Sequence, residues 1–181
     1  MNGVDVVRRI VFISFLVMFL LLMSACSTEK TKEVPSPSEE SLEESGYTGM
    51  PPTPGVTVNN DVASIRRDRS CWEKPDKKCN IVHVEDFSSL LSGTRTMRVT
   101  PGEEILFSLP TNPGVPNELR GLDNIEIDLI QFFKGEESYV EHDGKSFNAP
   151  QEPGKYYYSA VVKWIGDIKG EASYAFSILV K

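Results

Sequence analysis

The stretch Glu152-Pro153-Gly154-Lys155-Tyr156-Tyr157-Tyr158-Ser159-Ala160-Val161-Val162-Lys163-Trp164 opens on a turn and then alternates. Tyr156, Tyr158, Ala160, Val162 and Trp164 fall on one side, and Tyr157, Ser159, Val161 and Lys163 on the other. A period of two is the signature of a strand with one face in a core. Gly166-Asp167 follows as a turn, and Tyr174, Phe176, Ile178 and Val180 repeat the pattern, so the two runs read as a hairpin. Working outward, Ile105–Leu109 and Ile125–Leu129 alternate in the same way. Shorter candidates are Ile81–Val84, Met97–Thr100, Ser138–Glu141 and Lys145–Phe147. Pro101-Gly102, Asn112-Pro113-Gly114, Lys134-Gly135 and Asp143-Gly144 punctuate them as turns. One short helix is expected over Phe87–Ser92, with Asp86 as N-cap and Gly93 beyond its end. Many short antiparallel strands with one buried face imply an all-β sandwich or barrel.

The Glu152…Gly154…Tyr156 spacing resembles the corner of the immunoglobulin fold, where a tyrosine hydroxyl bonds backward as a strand begins. That resemblance implies an immunoglobulin-like antiparallel sandwich of about seven strands, here placed over residues 56–181. Tyr158 stands where antibody domains carry their second core cysteine, so the inter-sheet disulfide of that fold is not expected. Cys71-Trp72…Cys79, Thr100-Pro101-Gly102-Glu103 and Ala149-Pro150…Tyr156 are similar to elements of small, uncharacterised lipoproteins of Bacillus-type bacteria. The similarity covers about residues 64–181 and implies no activity.

The N-terminus has a different character. Arg8 and Arg9 precede an apolar run from Ile10 to Met23, broken only by Ser14. The run is shorter than the roughly 20 residues that a membrane-crossing helix needs. Charged start, short apolar centre and small residues at the end describe a secretion signal over residues 1–25. Leu22-Met23-Ser24-Ala25-Cys26 resembles a lipobox, which implies cleavage between Ala25 and Cys26 and a lipid on the Cys26 thiol. Met23 replaces the commoner leucine, and Asp5 is unusual in a positive leader. The expected location is therefore the extracytoplasmic face of a cell membrane, with the bilayer held through the lipid. Residues 26–55 then read as an acidic, flexible tether, rich in Ser, Thr, Pro and Glu and poor in large apolar groups.

Three cysteines fit this picture: lipidation takes Cys26 and leaves Cys71 and Cys79 as a pair. Outside the cytoplasm such a pair persists as a disulfide. No further ligands stand near it at zinc spacing, and no metal or cofactor is expected.

The formal net charge of −7 argues against nucleic acid as a partner. Motifs of catalysis are missing: no Gly-x-Ser-x-Gly, no His-Glu-x-x-His, no phosphate loop and no calcium loop. His83 reads as a solvated strand residue and His142 as a turn residue. The domain is thus expected to be a non-catalytic binding module for an envelope or extracellular protein. Trp72 is the first candidate contact, a large aromatic beside the Lys-rich disulfide loop, with packing on the core as its other reading. A second function rests on a partial likeness to the chagasin family of immunoglobulin-like cysteine-protease inhibitors. Leu109-Pro110-Thr111-Asn112-Pro113-Gly114 resembles that family's first inhibitory loop, and Trp164 its last. The family's Gly-rich middle loop has no counterpart, and Val162-Lys163 replaces its Arg-Pro.

Overall fold

The computed structural model describes residues 47–181; the expected signal segment and most of the expected tether, with Ala25 and Cys26, lie outside the described residues. The described chain is all-β, a sandwich of two sheets. Its strands are β1 (Gly55–Val58), β2 (Asp61–Val62), β3 (Arg66–Trp72), β4 (Met97–Val99), β5 (Glu104–Ser108), β6 (Ile125–Phe133), β7 (Glu136–Tyr139), β8 (Ser146–Asn148), β9 (Gly154–Trp164) and β10 (Gly170–Val180). The one α-helical turn, α1, spans Phe87–Leu90. Asp86 caps it by accepting from the Ser89 amide, and that bond, with one from the Ser88 hydroxyl, holds the Asp86 carboxyl below its usual range.

One sheet runs β2-β1-β5-β8; the other runs β3-β10-β9-β6-β7, with β4 added in parallel to the end of β10. Strands β4 to β10 make the immunoglobulin-like frame, and they correspond to seven of the eight expected strands, β7 lying two residues before the expected Ser138–Glu141. The hairpin read from residues 156–180 is there, with Phe176 opposite Tyr158 and Ile178 opposite Tyr156. The corner is there too: the Tyr156 hydroxyl donates to the Glu152 carbonyl at 3.0 Å. Tyr158 fills the vacant cysteine position, its ring stacked on Phe176 at 4.9 Å and its hydroxyl donating to Gln131. Burial pushes the Tyr158 hydroxyl pKa far up, as expected for a phenol kept neutral inside a core.

Alternation decides what meets between the sheets. Val56, Val58, Ile105, Phe107 and Phe147 come from the first sheet. Met97, Val99, Leu129, Tyr156, Tyr158, Phe176, Ile178 and Val180 face them from the second. All are nearly or wholly buried.

Four features depart from the sequence reading. The described chain has ten strands rather than about seven, because β1, β2 and β3 extend both sheets at their edges. Ile81–Val84 is not a strand; it begins a strap, Asn80–Thr96, laid across the outer face of the larger sheet. Under the strap, Val84 and Leu91 pack with Ala175, and Phe87 packs on Phe132 and Tyr157. The serines that read as a solvated face are therefore covered: Ser159, Ser173 and Ser177 are buried. Each is satisfied, Ser159 by the Val84 amide, Ser173 by the Arg69 amide and Ser177 by Thr96.

Finally, the packed chain starts before Val56. Pro51, Pro52 and Pro54 are buried, and three side chains clasp this segment to the sandwich. Trp72 Nε1 donates to the Gly49 carbonyl at 2.6 Å, Arg67 to Pro51 at 3.1 Å, and the Tyr174 hydroxyl to Pro52 at 2.8 Å. Residues 47–55, expected in the tether, are part of the domain.

Candidate functional site

Two of the expected site residues, Trp72 and Trp164, meet at one end of the sandwich, where β9 turns into β10, and the turn that carries Asn112 lies at the same end. Trp164 ends β9 and Trp72 ends β3, and their rings lie 5.3 Å apart. Tyr47 closes edge-on against Trp72 at 5.0 Å. Gly170 sits opposite both tryptophans in the ladder. A Cβ on Gly170 would meet the Trp72 ring and, at 2.6 Å, the Cys71 carbonyl oxygen, so glycine makes the seat for the indole.

This arrangement corrects the reading of Trp164. It is 1% exposed and belongs to a core cluster with Leu109, Leu119, Ile125, Val162, Ala172 and Tyr174. It presents nothing to a partner. Trp72 is half-buried, and its indole N–H and both ring neighbours belong to this chain. Its role in the structure is to hold the incoming N-terminal segment. Only Asn112 is on the surface as expected, in an exposed turn whose Val115 amide donates to the Asn112 carbonyl. Arg120 braces that turn from behind, donating to Val115 at 2.7 Å and to Pro113 at 3.2 Å. Leu119, fully buried, pins the loop to the same cluster as Trp164.

The Cys71–Cys79 disulfide is present, with a Cα–Cα distance of 5.8 Å. Inside the loop, Lys74 and Lys77 exchange backbone hydrogen bonds and make a tight Pro75-Asp76 turn. Lys78 pairs with Glu73 at 2.9 Å and holds its carboxyl below the ordinary value. The bridge thus fixes the chain as it leaves β3, immediately beside Trp72. Replacing Cys71 with Ser is expected to destabilise the domain by about 2–3 kcal/mol from loop-closure entropy alone. Chemical denaturation with and without a reductant checks this; two titratable thiols in the native, unreduced domain would rule the bridge out.

One constellation was not anticipated. His83, expected to be solvated, lies under the strap's edge with Nδ1 3.1 Å from Ser159 Oγ and Nε2 3.2 Å from Asp128 Oδ2. Serine, histidine and aspartate are the residue types of a nucleophilic triad. The geometry denies them that chemistry. Ser159 is wholly buried, and its oxygen already accepts from the Val84 amide. The contact between His83 Nε2 and Asp128 is close but not aligned as a hydrogen bond. A substrate carbonyl has no route to Ser159, and the group works as a rivet between strap and sheet. No sequence signal marks it, because the three residues lie far apart in the chain.

In comparison with known proteins, no family model, no curated protein and no solved structure matches the chain.

Proposed function

We propose that this chain is a lipid-anchored extracytoplasmic protein whose sandwich serves as a non-catalytic binding module. The observation that carries the first half is the Cys71–Cys79 disulfide, since such bonds persist in oxidising compartments. It accords with the lipobox-like Leu22–Cys26 and with the resemblance to Bacillus-type lipoproteins. Cys26 would then be the lipid-bearing residue of the mature chain, and the acidic residues after it would set the domain away from the bilayer. The second half is supported by what the clustered groups do: Trp72, Trp164 and the Ser159–His83–Asp128 group are held in contacts within the domain, and exposed loops and the β7 edge are left for contacts with a partner. The inhibitor reading loses one of its two supports, because the tryptophan it requires in an exposed loop is buried, and keeps only the exposed Asn112 turn.

Radiolabelled fatty acid is expected to enter the wild-type chain, and Cys26→Ala to abolish labelling and slow processing. A mature protein beginning at any other residue would sink the anchor. The module is tested separately with a photo-crosslinking amino acid placed, in living cells, at exposed positions around the sandwich. A discrete protein adduct at one or more positions supports the reading, and its absence at every position overturns it.

A further inference from the structure

The larger sheet ends in β7, a four-residue strand exposed along its whole length. The turn before it is a two-residue hairpin with Lys134 and Gly135 both at positive φ, 52° and 87°, the type I′ geometry that suits strand twist. The Val140 amide donates to the Leu129 carbonyl at 3.0 Å, which fixes the phase of the ladder. Hydrogen-bonded and non-bonded pairs alternate in an antiparallel ladder. Given the register Ile130–Tyr139 and Phe132–Glu137, the backbone groups of Ser138 and Glu136 turn inward to β6. Those of Glu137 and Tyr139 turn outward. Two N–H and two C=O groups are therefore presented at the spacing that an added strand takes.

Open edges are commonly guarded by short length, by charged side chains, lysine above all, by proline or by a bulge. Strand β7, Glu136-Glu137-Ser138-Tyr139, is short and carries two glutamates, but it has no lysine, proline or bulge. Its charges are negative and exposed, and exposed Glu141 extends them. Lys134, the cation of the hairpin, is engaged with Glu152 at 2.5 Å and lies over the Phe133 ring. Such an edge repels acidic strands, and pairing with its own copy would crowd four glutamates onto one short ladder. Tyr139, 78% exposed, shares a face with Glu137 two residues away. Carboxylate and aromatic face together suit an alkylammonium or guanidinium group. The opposite end of the sheet is less open, since β3 carries a register shift and Arg67 and Trp72 bind residues 49–51.

We propose that the free edge of β7 docks an extended, lysine- or arginine-bearing segment of a partner protein by strand addition. Backbone groups of Glu137 and Tyr139 hold the segment, while Glu136, Glu137 and Tyr139 select its charge. The proposal rests on the binding-module reading and is independent of the lipid anchor.

The test uses the full chain in non-ionic detergent and two labelled, end-capped peptides, one alternating lysine with valine and one alternating glutamate with valine. The basic peptide is expected to bind in a salt-sensitive manner and the acidic one not to bind. Its addition should shift and protect the Glu137 and Tyr139 amides, read by NMR and hydrogen exchange. Glu136→Lys with Glu137→Lys should weaken the basic peptide by about ten-fold or more and admit the acidic one. Tyr139→Pro, which removes an outward N–H and no bond to β6, should abolish binding of the basic peptide. Amide protection in the unmodified chain keeps the test decisive should that variant unfold. Unchanged affinity after charge reversal, protection elsewhere, or a concentration-dependent dimer protecting the same amides would each overturn the proposal. Photo-crosslinks at the disulfide loop or the Asn112 turn but none along β7 would overturn the edge and leave the module standing.

Discussion

Trp164→Ala is expected to destabilise the domain by about 3–5 kcal/mol, the range for deleting a buried aromatic side chain. The ring is 1% exposed and shares its cluster with Leu109, Leu119, Val162 and Tyr174. Removing it leaves a cavity bounded by three sources: the β9–β10 hairpin, the loop that carries Asn112, and Trp72 with the clasped N-terminal residues. These cannot all collapse inward, because Leu119 is already fully buried and Gly170 has no side chain to move. The indole N–H has no hydrogen-bond partner among the described residues, so no polar bond is lost with it. The cost is one of packing. Equilibrium urea denaturation of wild type and variant checks the value. A loss below about 1 kcal/mol would mean that Trp164 is not a core residue, since surface substitutions usually stay within about 0.5 kcal/mol.

Strands β4 to β10 were legible because each carries an apolar residue at every second position or sits between clear turn signals. The tyrosine corner was legible from three residues at fixed spacing, and its hydrogen bond is present. Strand β3 was not, because Arg66-Arg67-Asp68-Arg69-Ser70-Cys71-Trp72 has no such alternation. It is an edge strand, carried by its pairing with β10 and by the disulfide that Cys71 makes near its end. Pro51, Pro52 and Pro54 read as spacer for a similar reason. Proline gives no period, and what buries these residues is a clasp from Arg67, Trp72 and Tyr174, distant in sequence.

The candidate site was legible only as a location. Trp72, Trp164 and Asn112 do gather at one end of the sandwich, yet two of the three are used internally. Strand alternation had already put Trp164 on the same side as Tyr156 and Tyr158, which is the core side. The strap was illegible because the face it covers mixes Ala175 and Tyr157 with Ser159 and Ser177, and a serine on a strand reads as solvent-facing. The acidic edge of β7 could have been found, since Glu136-Glu137 follows a Lys134-Gly135 turn. Its being the last strand of the sheet could not, because strand order is a property of topology and not of local pattern.

Phe176→Ala tests the sandwich at its centre and is expected to cost a further independent 3–5 kcal/mol, about the value for a fully buried phenylalanine. Phe176 lies in the middle of β10, 1% exposed, stacked on Tyr158 at 4.9 Å and tilted against Phe147 at 6.3 Å. Phe147 belongs to β8 of the smaller sheet, so this contact joins the two layers. Tyr158 is the residue that replaces the immunoglobulin cysteine. The aromatic trio therefore occupies the place where that fold ties its sheets with a disulfide, and it does so by packing alone. The double variant Phe176→Ala with Tyr158→Ala should lose less than the sum of the single losses, because the second truncation removes a partner that the first has already left unsupported. Strict additivity of the two would show that the rings do not act together. Circular dichroism dominated by helix in the wild type would overturn the architecture itself.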